Sequence, residues 1–205
     1  MKIYSKFIKR VGDLSLSLFL IVMLFPLTLI ICIIQIFFYN FNIFYFQERS
    51  GLQEKPFNIV KFKTMNDIYD PSNNLLPDSD RVTRFGKLLR FFSLDEIPNL
   101  INVLLGQMSI VGPRPLPTSY STKMSKVQKT RFVVRPGITG LAQVSGRNSL
   151  DWSEKISLDL VYVEKISFYL DLSIIAKSFF VFIGTNENKD VRHISFNSYK
   201  PNFKK

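Results

Sequence analysis

The stretch LSLSLFLIVMLFPLTLIICIIQIFFY, residues 14–39, is almost pure hydrocarbon and sets the architecture of the whole chain. No Asp, Glu, Lys, Arg or His occurs between residues 14 and 47, and about 20 apolar residues are enough for a helix to cross a bilayer. A cleaved secretory signal has a shorter apolar core followed by small residues, whereas aromatic residues follow here. The sequence therefore predicts that residues 1–40 form a membrane anchor that stays on the protein.

The residues around and within this stretch bear on how the anchor enters the membrane. Positive charge near a membrane segment tends to remain cytoplasmic, and here both flanks are basic. Pro26, near the centre, removes one backbone hydrogen bond and bends a helix. Two geometries stay open: a re-entrant helix that enters and leaves by the same face, and a spanning helix with a tolerated proline. The basic residues are Lys2, Lys6, Lys9 and Arg10 before the stretch and Arg49, Lys55, Lys61 and Lys63 after it.

The composition is that of a folded and strongly basic protein. The 205 residues include 27 Lys plus Arg against 16 Asp plus Glu, a net charge of +11. Apolar residues make up 46% of the chain, which excludes a disordered protein. Cys32 and His193 are the only residues of their types, so an internal disulfide, a zinc or iron–sulfur site and a two-histidine metal site are excluded. Catalysis must use carboxylates, lysine or arginine, and any metal is expected to be a hard cation with oxygen ligands.

Beyond the anchor, the pattern predicts one globular domain over residues 41–184. Residues 57–65 (FNIVKFKTM) predict a strand. Residues 81–92 (RVTRFGKLLRFF) predict a helix with adjacent apolar and basic stripes, suited to an anionic membrane surface or simply to solvent. Residues 170–183 predict an apolar helix too short to span a bilayer, and residues 185–205 predict a basic C-terminal tail. The predicted fold class is α+β, mainly helical, with short strands and interfacial amphipathic helices.

Asp95 and Glu96 form an acidic pair ahead of an apolar-periodic segment. Ser93 and Glu96 have the spacing of a helix-capping box, although Pro98 is deep for a helix that begins at Ser93, and a later start relieves the conflict. In either case both carboxylates lie at a helix N-terminus, where free N–H groups and the helix dipole favour negative charge. Capping alone is the more common role for an arbitrary acidic pair.

A later helix is predicted from the apolar stripe that runs from Trp152 to Val163 at helical spacing. Asp159 and Tyr162 lie off this stripe. They could reach a site, but exposure to solvent is the expectation for both.

A stiff, glycine-punctuated region could hold an anion. In the loop VGPRP, Pro113 and Pro115 restrict the backbone on both sides of Arg114, and a fixed guanidinium matches phosphate oxygens. In residues 135–147, glycines would let backbone N–H groups approach an anion, with an arginine at each end. The segment is neither a Walker loop nor a dinucleotide-binding fingerprint. Together the pieces suggest a phosphate ligand facing acidic residues, with a divalent cation removing the repulsion.

Two longer runs of sequence resemble the bacterial sugar transferase family. They are RFGKLLRFFSLDEIPNLINVLLGQMSIVGPRP, residues 84–115, and RPGITGLAQVSGRN, residues 135–148. The resemblance extends from Lys2 to about Gly184 and is most specific around the Asp-Glu and Pro-Arg-Pro stretches. It points to the small monotopic phosphoglycosyltransferases that start membrane glycan assembly, and the bacillosamine-type initiating transferases of protein glycosylation look most similar.

The resemblance implies a two-step transfer. A UDP-sugar gives its phosphosugar to an enzyme carboxylate and releases UMP. Polyprenyl phosphate, usually undecaprenyl phosphate, then takes the phosphosugar to form a polyprenyl-diphosphate-sugar. The implied cofactor is Mg²⁺, and the implied partners are the two substrates and membrane lipid, without nucleic acid. The implied location is the bacterial inner membrane, with residues 41–184 as the catalytic domain on its cytoplasmic face.

The same resemblance implies roles for individual residues. Asp95 would be the nucleophile and a Mg²⁺ ligand, and Glu96 would be its acid/base or metal-organising partner. The implied substrate-binding residues hold phosphate or nucleotide oxygens or shape the nucleotide pocket: Lys61, Arg90, Pro113, Arg114, Pro115 and Arg147.

One departure from the family concerns the anchor. The family usually has serine before the membrane-helix proline, whereas Phe25 precedes Pro26 here. The family's re-entrant habit, added to the basic flanks, favours a re-entrant helix kinked at Pro26 over a spanning one. The N-terminus and Lys63 are then both expected on the cytoplasmic side.

Two other classes of function fit part of the sequence. The net charge of +11 and 14% aromatic residues suit a membrane-tethered nucleic-acid-binding module. The basic residues are dispersed and several flank the anchor, however, which anionic lipid explains more simply. A non-catalytic scaffold of the same fold would use Asp95 and Glu96 only to cap a helix.

Overall fold

The computed structural model describes residues 4–39, 41–146 and 149–184. Within these residues the chain is mostly helical with two two-stranded sheets, so the predicted α+β, mainly helical class is confirmed. The predicted tail and Arg147 lie outside the described residues. The helices are α1 (Lys9–Tyr39), α2 (Asp78–Arg81), α3 (Arg84–Phe91), α4 (Asn99–Leu104), α5 (Thr118–Ser121), α6 (Lys126–Lys129), α7 (Leu141–Ser145), α8 (Trp152–Lys165) and α9 (Phe168–Gly184). The strands are β1 (Phe44–Ser50), β2 (Pro56–Phe62), β3 (Ser109–Val111) and β4 (Gly137–Thr139).

The first sheet is an antiparallel hairpin in which Phe44 pairs with Phe62 and Ser50 with Pro56. The strand predicted over residues 57–65 is present as β2, which ends at Phe62. The sequence did not predict β1, because the aromatic residues at its start are exposed and give no apolar–polar alternation.

The basic amphipathic helix predicted over residues 81–92 is divided in two. The first part, α2, ends at Arg81, and α3 begins at Arg84. Thr83 separates the two because its side chain accepts a hydrogen bond of 2.9 Å from the backbone N–H of Gly86 and so caps a new helix. The predicted apolar helix over residues 170–183 is confirmed as α9.

The main core forms where α4 and β3 meet α8 and α9. Val103 of α4 and Val111 of β3 are fully buried and pack with Tyr162 and Ile174 of the two C-terminal helices. Leu16, Leu20, Ile21 and Leu24 of α1 pack against the same cluster. The long apolar helix is therefore part of the wall of the globular core.

The second sheet brings two backbones into direct contact. Strand β3 pairs in parallel with β4, and a Cβ added to Gly137 would lie 2.1 Å from the backbone nitrogen of Gly112. The glycine at 137 therefore admits a neighbouring strand rather than an anion. Arg135 donates from Nε to the carbonyl oxygen of Gly106 at 2.8 Å, at the end of α4. The backbone N–H of Gly137 donates to the carbonyl oxygen of Pro113 at 2.9 Å, so at this position the predicted anion contact is already replaced by a protein one.

Substitution of Gly137 by alanine is expected to destabilise the protein by about 3 kcal/mol, because the added methyl group forces β3 and β4 apart. For a domain of this size, that loss lowers the thermal midpoint by about 6–12 °C. Thermal unfolding in detergent measures the shift. Gly12→Ala is the matched control, since a Cβ there meets nothing within 4 Å. Equal midpoints for the two variants would contradict the close-approach explanation.

Helix α1 runs without interruption across Pro26 and is the one helix, in the part of the chain that the structure describes, long and apolar enough to cross a membrane. Unlike a surface helix of a soluble protein, it turns polar side chains toward the protein body and apolar side chains outward. Asp13, Ser17 and Gln35 are buried against the globular body. The outward-facing side chains are exposed and apolar and include Phe19, Val22, Met23, Phe25, Ile30, Ile33 and Phe37.

The N-terminal end of α1 is held by charges. Arg10 donates to the carbonyl oxygens of Val103 at 2.7 Å and Leu104 at 3.1 Å. These are the last two residues of α4, and a positive charge at a helix C-terminus interacts favourably with the helix dipole. Lys9 forms a 2.8 Å ion pair with Asp171 of α9. Asp13 accepts from the Ser109 hydroxyl at 2.6 Å and from the backbone N–H of residue 110 at 3.1 Å.

The C-terminal end of α1 contacts the same body. Gln35 donates to the carbonyl oxygen of Lys63 at 3.0 Å, and the hydroxyls of Tyr39 and Thr83 are 2.8 Å apart. Asp13 and Gln35 are separated by about 33 Å along the helix at 1.5 Å per residue. The hydrocarbon core of a bilayer is about 30 Å thick. The segment between Asp13 and Gln35 has about this length, and both of its ends contact the same globular body.

Candidate active site

The acidic pair lies in a short 3₁₀ turn, Leu94–Glu96, between α3 and α4. Ser93 adopts a left-handed backbone conformation with φ of 48° and makes no capping hydrogen bond through its side chain, so of the two starts left open by the sequence the capping box at Ser93 is not formed. The reason is Pro98, which has no N–H to donate within a helix and therefore stands just before α4 begins at Asn99. The turn directs the two carboxylates into the body instead of capping a helix.

Glu96 is held by two cations. Its Oε1 accepts from Lys61 Nζ at 2.6 Å and from Arg114 Nη2 at 3.1 Å. Burial opposes ionisation, but Arg114 and Lys61 outweigh it and lower the pKa of Glu96 to about 2. Glu96 is therefore an anion whose oxygen is already bonded, which suits a residue that positions cations.

Asp95 lies beside this cluster and is buried, with 9% of its surface exposed. Burial raises the pKa of Asp95, and the neighbouring Glu96 adds to the rise, whereas Lys61 and Arg90 oppose it. Ionisation of Asp95 was predicted to be favoured by a helix N-terminus; in the structure burial makes the largest contribution and raises its pKa, and Lys61, Arg90 and a backbone N–H only oppose that rise. Unlike Glu96, Asp95 forms no side-chain ion pair among the described residues, so no Lys or Arg of this part of the chain is bonded to its oxygens.

Arg90 and Arg114 approach the acidic pair from different elements. Arg90, in the last turn of α3, is fixed by a 2.9 Å hydrogen bond from Nε to Thr64 Oγ1. Arg114 projects from its proline-flanked loop with half of its side chain exposed, while Pro113 before it is buried. Arg114 thus presents its guanidinium to solvent and to Glu96 at once, as a residue that binds a substrate anion must.

A buried ion pair supports the Arg114 loop from behind. Arg131 donates to the carbonyl oxygen of Arg114 at 2.7 Å and pairs with Asp159 of α8 at 2.6 Å. The expectation that Asp159 and Tyr162 face solvent is wrong, because both are buried. Tyr162 donates to the carbonyl oxygen of Val111 at 3.0 Å. Helix α8 is buried on two sides, which a single apolar stripe does not reveal.

The structure brings together five of the residues that the sequence singled out, namely Lys61, Arg90, Asp95, Glu96 and Arg114, with Pro113 and Pro115 flanking the last. Sequence reasoning missed the supporting residue Arg131 and two further cations near Arg114. These are Arg49 and Lys155. Burial makes the largest contribution to lowering the pKa of each, and the guanidinium of Arg114 lowers it further. Arg49 lies in the segment QERSG, residues 47–51, which also resembles the family, and this resemblance was the sequence signal that could have identified Arg49.

The charges of the site favour an anionic ligand. Five cations surround two carboxylates, so an anion with two or more charges would balance the cluster. The cations are Arg49, Lys61, Arg90, Arg114 and Lys155.

The donor set fits a shared rather than a caged magnesium ion. Among the described residues, no group of three His, Cys, Asp or Glu side chains is placed to hold a metal. Glu96 is engaged by Lys61 and Arg114, which leaves Asp95 as the carboxylate able to ligate. Because Mg²⁺ is commonly bound by one or two carboxylates together with substrate phosphates and waters, this arrangement fits it.

Comparisons with known proteins identify the family of this chain. A family model described as bacterial sugar transferase matches residues 4–185. The chain is 44% identical over 168 residues to a Bacillus subtilis protein named "Uncharacterized sugar transferase EpsL", covering 82% of this chain and 83% of that protein. It is 37% identical over 177 residues to a UDP-glucose:undecaprenyl-phosphate glucose-1-phosphate transferase of Klebsiella pneumoniae, covering 82% of this chain and 38% of the relative.

A third relative is the UDP-galactose-lipid carrier transferase of Erwinia amylovora, 34% identical over 191 residues, which are 85% of this chain and 40% of the relative. The Klebsiella and Erwinia relatives are therefore more than twice as long as the part that matches. The family match includes both the long apolar helix and the Asp95–Glu96 site, and it covers nearly all of the described residues. This chain is a member of the bacterial sugar transferase family.

Proposed function

We propose that this protein transfers a phosphosugar from a UDP-sugar to polyprenyl phosphate, with undecaprenyl phosphate as the natural acceptor. The observation that carries the proposal is the buried Asp95, left without an ion pair beside a Glu96 that two cations hold. Relatives named for UDP-glucose, UDP-galactose, undecaprenyl phosphate and a lipid carrier support this class of substrates.

In the first step, a carboxylate oxygen of Asp95 attacks the phosphorus that carries the sugar. A new P–O bond forms to Asp95, and the P–O bond to the bridging oxygen breaks, so that UMP leaves with the electron pair. Lys61 and Arg90 favour the ionised form of Asp95 against the effect of burial, and Arg114 contacts the diphosphate oxygens. Mg²⁺ bound through Asp95 would neutralise diphosphate charge that otherwise repels the nucleophile.

In the second step, a phosphate oxygen of polyprenyl phosphate attacks the same phosphorus. The P–O bond to Asp95 breaks, which restores the carboxylate and yields polyprenyl-diphosphate-sugar. The acceptor carries its phosphate in the headgroup layer, so the site must lie at the membrane surface. The outward apolar face of α1 and the exposed Phe91 and Phe92 at the end of α3 provide lipid contacts near it.

The deciding experiment incubates the detergent-solubilised full chain with polyprenyl phosphate, Mg²⁺ and a panel of UDP-sugars, and measures released UMP. We expect release with one or a few sugars, and no turnover when the metal is chelated. Inclusion of UDP-bacillosamine donors beside UDP-glucose and UDP-galactose tests the similarity to the transferases of protein glycosylation. The proposal fails if no UDP-sugar yields UMP while the protein remains folded.

We further propose that α1 is re-entrant and that the catalytic body lies on the cytoplasmic face of the bacterial inner membrane. The contacts of Arg10 and Lys9 at one end and of Gln35 and Tyr39 at the other support this topology. A perpendicular span would carry one end of the helix about 30 Å from a body that remains in water. The basic flanks on both sides support the cytoplasmic face.

Cysteine labelling tests this topology. In a Cys32→Ser background, one variant carries a cysteine before Met1 and another carries Ser72→Cys in an exposed loop. We expect a membrane-impermeant maleimide to reach both cysteines only after the spheroplasts are permeabilised. Labelling of the N-terminal cysteine alone in intact spheroplasts would establish a spanning helix, and labelling of both would place the body outside.

A further inference from the structure

Arg49 is a cation whose position the Glu96 cluster alone does not explain. Its Nη1 donates to the carbonyl oxygen of Pro115 at a long 3.4 Å, its Nη2 contacts Gln47, and its buried Nε has no hydrogen-bond partner. Among the described residues, no carboxylate forms an ion pair with Arg49. A buried N–H donor without an acceptor, on a cation without an ion pair, destabilises the folded protein unless a ligand supplies the missing acceptor.

Lys155 is a second such cation. It lies in the first half of α8, partly buried, with its ammonium group 5.3 Å from the centre of the Trp152 ring. In the described part of the chain, it too forms no ion pair with a carboxylate. Arg49 contacts the residue after Arg114, and Lys155 lies one helical turn before Asp159, which Arg131 links to the carbonyl oxygen of Arg114. Arg114 lowers the pKa of Arg49 and of Lys155, after the larger effect of burial, and Glu96 and Asp151 respectively oppose these shifts without forming an ion pair.

The neighbours of each charged group give an order along the site. The charges that act on Asp95 are those of Lys61, Glu96 and Arg90, and those that act on Glu96 belong to Arg114 and Lys61. Arg114 acts on both Arg49 and Lys155, Glu96 also acts on Arg49 and Asp151 on Lys155, whereas neither Arg49 nor Lys155 is among the charges that act on Asp95. The contact of Arg49 with Pro115, and the link from Arg114 through Arg131 to Asp159 of α8, put Arg49 and Lys155 on the Arg114 side of Glu96, whereas Asp95 has no ion pair with these cations.

This order matches the demands of an in-line displacement at phosphorus. The nucleophile and the leaving oxygen lie on opposite sides of the phosphorus, and negative charge builds on the leaving phosphate as its bond breaks. Fixed cations placed where that charge develops stabilise the transition state. With Asp95 on one side, the leaving phosphate falls on the side of Arg114.

We infer that Arg49 and Lys155 complete, with Arg114, a three-cation subsite that binds the phosphate of the departing nucleoside monophosphate. The inference rests on the proposed function for the identity of the leaving group. It adds two substrate-binding residues on elements, β1 and α8, that lie outside the acidic turn and the proline-flanked loop.

Binding of UMP and of uridine to the full chain tests the subsite, because the two ligands differ only in the phosphate. Lys155→Gln and Arg49→Gln are each expected to weaken UMP binding about tenfold, the effect of one lost charge-assisted hydrogen bond, and to leave uridine binding unchanged. Lys155→Arg is expected to retain UMP binding. Lys165→Gln, the same change at the exposed end of the same helix, is the control and is expected to bind UMP like the parent.

Two further readouts separate this inference from the proposed function. Inorganic pyrophosphate, added without metal, probes the cations without a nucleoside, and both glutamine variants are expected to bind it about tenfold more weakly than the parent. Thermal midpoints identify a variant that fails to fold, in which case the other variant decides.

Folded variants that bind UMP and pyrophosphate like the parent overturn the subsite even if the parent turns over UDP-sugars. A parent that turns over none overturns the proposed function, while the pyrophosphate result still decides whether the three cations bind phosphate.

Discussion

Asp95→Asn is expected to abolish the release of UMP, with a rate at least about a thousandfold below that of the parent, as when a covalent nucleophile is lost. The amide has almost the shape of the carboxylate, so it leaves the 3₁₀ turn and the neighbouring Glu96 contacts in place. It lacks the negative oxygen that attacks phosphorus. A single-turnover assay of UMP release in the absence of acceptor measures the effect on the first step alone.

The mass of the intact protein provides a second measurement. The parent, incubated with donor but without polyprenyl phosphate, is expected to gain the mass of one phosphosugar, and Asp95→Asn is expected to gain none. Asp80→Asn, which changes an exposed carboxylate of α2, is the matched control and is expected to behave like the parent. Parental UMP release by the Asp95→Asn protein would show that another group is the nucleophile.

Asp159→Ala is expected to lower the free energy of unfolding by about 3–5 kcal/mol, which is typical of a buried ion pair that loses one partner. Only 2% of the Arg131 side chain and 6% of the Asp159 side chain are exposed, so the remaining guanidinium has no access to water. For a domain of this size, the thermal midpoint is expected to fall by about 6–20 °C. Thermal unfolding in one detergent, at one pH, measures the loss.

The double variant Arg131→Met/Asp159→Leu is the control for this prediction. It removes both charges and fills the space with apolar atoms, so its stability is expected to lie within about 2 kcal/mol of the parent. It also removes the hydrogen bond from Arg131 to the carbonyl oxygen of Arg114. A stable double variant with impaired donor binding would therefore separate support of the Arg114 loop from support of the fold. A single Asp159→Ala variant as stable as the parent would contradict the cost assigned to the unpaired arginine.

The sequence predicted which residues come together at the site better than it predicted the elements that hold them. The acidic pair at 95 and 96 and the proline-flanked Arg114 were identified from residue types alone, and the structure places them together. The contact between Lys61 and Glu96 joins residues 35 positions apart in different elements, and local patterns carry no information about such pairs. Lys61 entered the prediction through family resemblance rather than spacing.

The errors have a common physical origin in burial on more than one face. Helix α8 contributes Ile156 to one core cluster, with Phe132, and Tyr162 to another, with Val111. A single apolar stripe accounts for one such face, so Asp159 and Tyr162 were predicted to be exposed. Gly137 is a second case in which local sequence was not enough, since it suggested an anion-binding turn. The backbone that fills the space beside its Cα belongs to Gly112, more than 20 residues away in sequence.

The reversed polarity of α1 means that the anchor is not an interchangeable tether. On its inward face, Asp13 and Gln35 form specific hydrogen bonds to the body, and Leu16, Leu20 and Leu24 complete a hydrophobic cluster that the remaining chain cannot close alone. Transplanting a foreign hydrophobic segment onto residues 41–184, or deleting residues 1–40 to obtain a water-soluble enzyme, would leave that cluster open. Selection on lipid attachment and selection on foldability thus act on opposite faces of the same helix, so the segment cannot be exchanged to suit one property without affecting the other.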